Sequence, residues 1–328
     1  MDEQTFALFL SMIGTLSAAQ RETARELLST PAPRPSAVLE SKQAAHPRCV
    51  QCGGDRVGSW GQANGLRRHR CRDCKRTFNA LSGTPLARLR HKDKWLSYAA
   101  ALAQAMSVRK SAEACGVSND TAFRWRHRFL TAPTANKPVQ IGGIVEADET
   151  FFRRSFKSSR HWTSPATDAP PPTRTARKRG APTGKRGTPL QEQVPVLIVR
   201  DRNKTTGDAV LDGLSAKAIG AHLLPMLSPD ALLCTDTAAA YAVIARNAGI
   251  RHEPINVTAE GYVRDSVFHI QNVNAYDSRL KGWMARFNGV ATKYLHNYLG
   301  WRRMIEALGA AINPNAILLR AANQTSNT

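Results

Sequence analysis

In a chain with 46 Lys and Arg against 25 Asp and Glu, carboxylates at the ends of apolar runs need a reason. Asp148 follows Ile144-Val145-Glu146-Ala147, and Asp236 closes the run Ala231-Leu232-Leu233-Cys234-Thr235 just before a helical pattern. Side chains alternate across a strand, so Glu146 and Asp148 share one face while Ala147 and Glu149 share the other. Two strand-end carboxylates can hold a divalent cation beside a phosphodiester. A single strand-end Asp is more commonly a helix cap or turn former, so Asp236 on its own carries no chemistry. A further set lies in "HIQNVNAYDSRLKGW", His269 to Trp283, where Asn274, Asp277 and Lys281 are spaced three and four apart on a helical period. Residues seven apart fall within about 20° around a helix, which puts Lys281 on the face of Asn274 with Asp277 beside it. An exposed helix with an Asp to Lys pair at four-residue spacing explains the same pattern by solvation alone. The rest of the chain has to decide.

Four of the six cysteines fall as Cys49-x-x-Cys52 and Cys71-x-x-Cys74, a spacing that in an intracellular protein points to metal rather than disulfides. Two such knuckles supply the four thiolates that tetrahedral Zn²⁺ takes, and the 18 residues between Cys52 and Cys71 are enough for a β-hairpin. With no open ligand position the metal is structural. His69 is an alternative ligand near Cys71, though a surface role is the simpler one. Around the cysteines lie Arg67, Arg68, Arg70, Lys75 and Arg76, interleaved with Trp60 and Phe78; their charge suits phosphate.

These pieces sit in a chain of 328 residues with 42% hydrophobic content, net charge +21 and a pI near 10.4. That balance excludes a disordered polyampholyte and implies a polyanionic partner. Nucleic acid fits better than a membrane, because no apolar run approaches the ~20 residues that span a bilayer and no long basic amphipathic helix is present. The acidic start "MDEQTF" lacks the basic region of a secretory signal, so an intracellular location is expected.

Residues 1–29 read as an N-terminal helical segment broken near Gly14, 30–47 as a Pro/Ala/Ser-rich linker, and 48–80 as the zinc ribbon. Residues 84–132 carry a helix-turn-helix pattern with its turn at Cys115-Gly116-Val117 and a cap at Ser118 or Asn119. Its second helix places Val117, Ala122, Trp125 and Phe129 inside and Arg124, Arg126, His127 and Arg128 outside, as a basic recognition helix does; a plain three-helix bundle is the competing reading. From 139 to 328 the period switches to five short strands with helices between the later ones, an α/β domain with a mixed sheet. A Pro-, Thr- and Arg-rich stretch at 157–193 interrupts it and reads as a basic disordered insertion.

The order of zinc ribbon, helix-turn-helix, "VEADETFF", "CTDTAAAY" and "HIQNVNAYDSRLKGWMARFNGVATKYLHNYLGWRRM" resembles the prokaryotic insertion-sequence transposases of the DDE class, in the branch with an N-terminal zinc ribbon. The resemblance implies an RNase H-like catalytic domain in which Asp148, Asp236 and Asn274 bind a pair of Mg²⁺ or Mn²⁺ ions, with Lys281 contacting DNA. Most of the class has Glu where Asn274 stands, and Glu149, Glu260, Asp265 and Asp277 are the carboxylates in reserve. It further implies cleavage at the element's ends, strand transfer into target DNA, and a homo-oligomer on DNA. A DNA-binding regulator without catalysis and a metal-dependent nuclease remain the alternatives. Trp301 is assigned to the core rather than to a flipped base, and His269 to a cap.

Overall fold

The computed structural model describes residues 3–29, 34–41, 47–157, 193–256, 259, 261, 263–265 and 267–323. Residues 158–192 of the expected basic insertion, and Glu260, lie outside the described residues. Two helices, α1 (Glu3–Ile13) and α2 (Ala18–Ser29), flank Gly14 as the sequence indicates. The stretch read as a linker contains a helix, α3 (Pro35–Ser41), whose Leu39 is fully buried. Proline content suggested a spacer, but Pro35 sits at the first helical position, where its missing N–H costs nothing.

The ribbon is a three-stranded antiparallel sheet of β1 (Val57–Ala63), β2 (Leu66–Cys71) and β3 (Thr77–Phe78). Three helices follow: α4 (Trp95–Ala103), α5 (Val108–Cys115) and α6 (Asn119–Ala135). The Ser107 hydroxyl accepts from the Lys110 N–H at the start of α5, and Ser118 accepts from Thr121 at the start of α6. Between them Gly116 adopts a left-handed conformation (φ 57°) that ends α5 and turns the chain into α6. Trp95, Tyr98, Trp125 and Phe129 meet edge to face in the core of this bundle.

The second half is a five-stranded mixed sheet in the order β6-β5-β4-β7-β8. The strands are β4 (Ile144–Arg153), β5 (Gln193–Asp201), β6 (Thr206–Val210), β7 (Leu232–Thr235) and β8 (Arg251–Pro254). β4, β5 and β6 pair antiparallel, whereas β7 and β8 run parallel to β4, each after a helical crossover. On one face Val145, Ala147, Leu197, Val199 and Leu233 pack with α7 (Ala216–Leu223) and α8 (Ala239–Ala248). On the other, Val194, Val196, Ile198 and Cys234 meet α9 (Gln271–Ala285) and α10 (Leu295–Leu308).

This second core is continuous with that of the three-helix bundle. α10 lies against α6, and the closing helix α11 (Pro314–Ala321) packs on α3, α4 and α6 rather than on the sheet. At the α6–α10 crossing a Cβ on Gly300 would stand 2.6 Å from the Thr134 Cα, so the approach requires glycine. Arg303 of α10 is buried, pairs with Asp208 of β6 and donates to the Pro133 carbonyl at 2.9 Å, tying sheet and bundle together. A boundary at residue 139 is legible in periodicity, but packing crosses it.

Candidate active site

Asp148 stands on β4, the middle strand of the sheet. In the parallel register of β4 and β7, Glu146 lies opposite Cys234. Two residues further along each chain are Asp148 and Asp236: Asp236 follows the end of β7, whereas Asp148 stands midway along β4, which continues to Arg153 instead of ending at Asp148 as its apolar run suggested, and the two charges act on each other. Asp148 accepts the Glu149 N–H at 2.8 Å, and Asp236 accepts the Ala238 N–H at 3.0 Å in the turn into α8. The turn-forming role of Asp236 is therefore real, but it uses one of two oxygens. Burial raises Asp148 above the usual carboxylate range; the Glu149 N–H opposes this, the Asp236 charge adds to it, and Lys281 lowers it. Glu149 points to the opposite face, where the Tyr241 hydroxyl donates to it at 2.6 Å. The alternation read from the sequence thus holds.

α9 crosses this face. Lys281 and Asn274 are exposed on it, whereas Asp277 is buried at 7% exposure, with no hydrogen-bond partner for its Oδ1. Burial pushes Asp277 up to about 7, the like charge of Asp148 adds to this, Lys281 opposes it, and Glu149 adds a smaller push. Asp148, Asp277 and Lys281 are thus within electrostatic reach of one another, and Asn274 lies one turn earlier on the helix. Asp265, another reserve carboxylate, sits in a turn at φ 50°.

Glu146 is the site residue that sequence reasoning passed over. Fully buried, it accepts from the Val273 N–H at 2.8 Å and from Asn272 Nδ2 at 2.9 Å, so it anchors the first turn of α9 to β4. Arg202 pairs with Glu146 and donates to the Val267 carbonyl at 2.9 Å, and His269 lies 3.3 Å from the same carboxylate. The signal was available: an ionisable residue in the middle of an apolar strand is costly unless paired. His269 Nδ1 also accepts the Gln271 N–H at 3.3 Å, from one residue before the N-cap position, which Ile270 holds. Glu146→Ala should lower stability by about 3 kcal/mol or more, because Arg202 and the α9 donors lose their buried acceptor. Glu146→Gln should lose clearly less. Chemical denaturation of both variants checks this, and equal losses would show that the charge is not what matters.

In the ribbon the Sγ atoms of Cys49 and Cys74 lie 3.6 Å apart and those of Cys52 and Cys71 3.7 Å apart. A tetrahedron with its corners 2.3 Å from a central zinc has edges of about 3.8 Å, so the donor set fits that ion. All four sulfurs converge within 4.8 Å, the one such cluster of His, Cys, Asp or Glu among the described residues. Burial raises the Cys49 thiol, but N–H donation from Gln51 and Cys52 outweighs it and brings the thiol down to about 7. The Gly54 N–H lowers Cys52, yet burial and the neighbouring thiols lift it to about 12. His69 stacks near Phe78 at 5.5 Å instead of joining the sulfurs.

The basic residues divide. Arg67, Lys75 and Arg76 are exposed, and Arg70 lies over the Trp60 ring at 4.5 Å, leaving a basic surface on the ribbon. Arg68 reaches the Thr77 hydroxyl at 3.1 Å. On α6, Arg124 is exposed beside Asp120, while Arg128 donates to the Ala87 carbonyl at 3.0 Å. Arg126, expected to face DNA, is fully buried. It donates to the Met106 carbonyl at 2.7 Å and to Ser111 at 3.0 Å, and lies 4.8 Å from the Trp301 ring. The fusion of α10 onto α6 covers this face, a contact that reading the bundle in isolation could not include. Trp301 itself is fully buried, as core assignment required.

With adjacent carboxylates on a five-stranded mixed sheet and a trihelical bundle before it, the chain can be compared with known proteins. Residues 140–302 match the ISXO2-like transposase domain, and residues 88–134 match the homeodomain-like domain. The chain is an insertion-sequence transposase. Its sheet is accordingly RNase H-like, as the resemblance implied, and DNA is the partner of an insertion-sequence transposase of this kind. An uncharacterized protein in transposable element ISH50 of Halobacterium salinarum is 28% identical over 261 residues, covering 76% of this chain and 82% of that protein. A crystal structure of a pre-cleavage Mos1 transpososome is similar over 64% of this chain and 74% of that one, at 10% identity and a TM-score of 0.24, which is too loose a match to carry an argument. Among the described residues no helix of this transposase is long and apolar enough to cross a membrane.

Proposed function

We propose that this transposase cuts the ends of its element and joins them to target DNA with divalent metal held by Asp148, Asp236 and Asn274. The observation that carries the reading is the parallel register that sets Asp148 beside Asp236 within a chain of net charge +21. Facing phosphates, two carboxylates are repulsive unless a cation lies between. Bound Mg²⁺ or Mn²⁺ supplies neutralisation of the attacking and leaving oxygens in an in-line phosphoryl displacement. Asp148 and Asp236 offer carboxylate oxygens, Asn274 an amide oxygen, and Lys281 a charge that pairs with a DNA phosphate. Glu146 holds α9 at the strand that carries Asp148. The first displacement uses water and frees a 3′-hydroxyl at the element's end; in the second, that hydroxyl attacks a target phosphodiester and displaces a 3′-oxygen. The exposed arginines of the ribbon and of α6 grip the backbone, and synapsis of two ends calls for an oligomer.

The test is a plasmid carrying the gene's flanking DNA, incubated with the protein and Mg²⁺ or Mn²⁺. Metal-dependent joined product should form, and Asp236→Ala and Asn274→Ala should each abolish it. Binding of the flanks without cleavage under either metal would sink the reading in favour of a regulator. Cleavage without joining would leave a nuclease.

A further inference from the structure

Between the helix-turn-helix bundle and the connection from α9 to α10 lies a cleft of about 900 Å³ that the mechanism above leaves without work. Its walls come from the start of α5, the middle of α6, Lys157 beyond β4, and residues 286–298, and no carboxylate is among them. Arg109 and Arg286 are exposed there and make no ion pair among the described residues. Lys157 donates to the Asn288 and Gly289 carbonyls, both at 2.7 Å, and so fixes the connection in place. Arg126 is fully buried in the wall, and its Nε and Nη1 have no hydrogen-bond partner. A buried cation without a counter-ion favours an anion close by.

The rings of the cleft form one group. Tyr294 stacks on His127 with centres 3.8 Å apart, and Phe123 meets both edge to face, at 4.6 Å from His127 and 5.6 Å from Tyr294. Burial first, then Arg126, His296 and Lys293, hold His127 down to about 4, so at neutral pH it is an uncharged aromatic plane. Phe123 and Tyr294 are only half-buried, which leaves ring surface open.

Cations without carboxylates select phosphate, and open rings select a flat apolar surface. Duplex bases cover one another's faces, so only an unpaired base offers such a surface. The volume also suits a small ligand and not a double helix. Arg286 follows α9 about 18 Å along the axis from Asn274, at ~1.5 Å per residue. A strand of about five nucleotides, at ~3.4 Å per phosphate, covers that distance.

We propose that this cleft binds one unpaired nucleotide of DNA, its base against the Phe123 and Tyr294 rings and its phosphate on Arg109 and Arg286. The inference rests on DNA being the partner and is independent of metal at Asp148 and Asp236.

The experiment uses the zinc-loaded full chain without added Mg²⁺ or Mn²⁺. Fluorescence anisotropy compares a fluorescein-labelled oligothymidylate of about ten nucleotides with duplex from the gene's flanks. Replacing Arg109→Gln and Arg286→Gln together should weaken oligothymidylate binding about tenfold and lower its logarithmic salt slope by about 1.4, with a much smaller loss for the duplex. Tyr294→Leu should lose about tenfold, and Tyr294→Phe, which keeps the ring, should bind like the wild type. On the wild type, an oligothymidylate carrying 5-iododeoxyuridine should photocross-link to peptides containing Phe123 or Tyr294. Equal losses for both DNAs would make the arginines general basic surface and overturn the proposal, as would cross-links found only elsewhere. Duplex binding without any oligothymidylate binding would overturn it and leave the reading of Asp148 and Asp236 standing. Binding of neither DNA would overturn it together with the assignment of DNA as partner.

Discussion

Asp148→Asn should reduce strand cleavage and joining by about a thousandfold or more while leaving the affinity for the element's ends near that of the wild type. Asn keeps the shape of the side chain and an oxygen that can accept the Glu149 N–H, so this part of β4 is preserved. What it removes is the charge. Burial and the Asp236 charge raise the pKa of Asp148, which means the ionised form is disfavoured in the fold. At pH above that raised value the charge lowers stability, so Asn should leave the metal-free protein as stable as the wild type or more so. The expected pattern is therefore loss of chemistry, retained binding and undiminished stability. Product formation within about tenfold of the wild type would remove Asp148 from the reaction.

Cys71→Ser should abolish zinc binding and unfold the ribbon without unfolding the rest. Cys71 is fully buried, and the ribbon's own core is little more than Cys49, Cys71 and Phe78. A module of that size has no stable fold without its metal, whose binding in isolated zinc peptides contributes about 10–16 kcal/mol. Zinc content by elemental analysis should fall from one ion per chain to none. Amide dispersion should collapse for residues 47–80, while the sheet and bundle, whose large core the ribbon enters only through Leu66 and Ala80, keep their melting transition. Because exposed Arg67, Lys75 and Arg76 are presented by the ribbon, affinity for DNA should fall and its salt dependence flatten. A variant that keeps both zinc and its salt dependence would contradict the assignment of the four cysteines.

Some of the site was legible because it depends on local spacing alone. Two Cys-x-x-Cys pairs define a thiolate cluster whatever surrounds them, and strand alternation put Asp148 and Glu149 on opposite faces, as Tyr241 on the far side bears out. Gly116 and Ser118 fixed the turn between α5 and α6, because capping and left-handed backbone are properties of a few adjacent residues. The reading of Arg126 failed for the opposite reason. Its helical position allowed an outward face, but that face is covered by α10, far along the chain, whose Trp301 ring lies 4.8 Å from the guanidinium, while its hydrogen bonds go to the Met106 carbonyl and the Ser111 hydroxyl within the bundle.

The sequence by itself determined the composition of the chemistry: a four-cysteine module, a basic surface, two carboxylates that follow apolar runs, and a helix bearing Asn274, Asp277 and Lys281. Only the tertiary structure decided which of these meet. Parallel pairing of β4 with β7 brings Asp236 beside Asp148, Glu146 anchors α9 across them, and the rotation of α9 buries Asp277 while leaving Asn274 exposed. Periodicity fixes the face of an element relative to itself. Which side of that element lies against another is set by packing and by the need to pair buried charge, and both are properties of residues far apart in the chain.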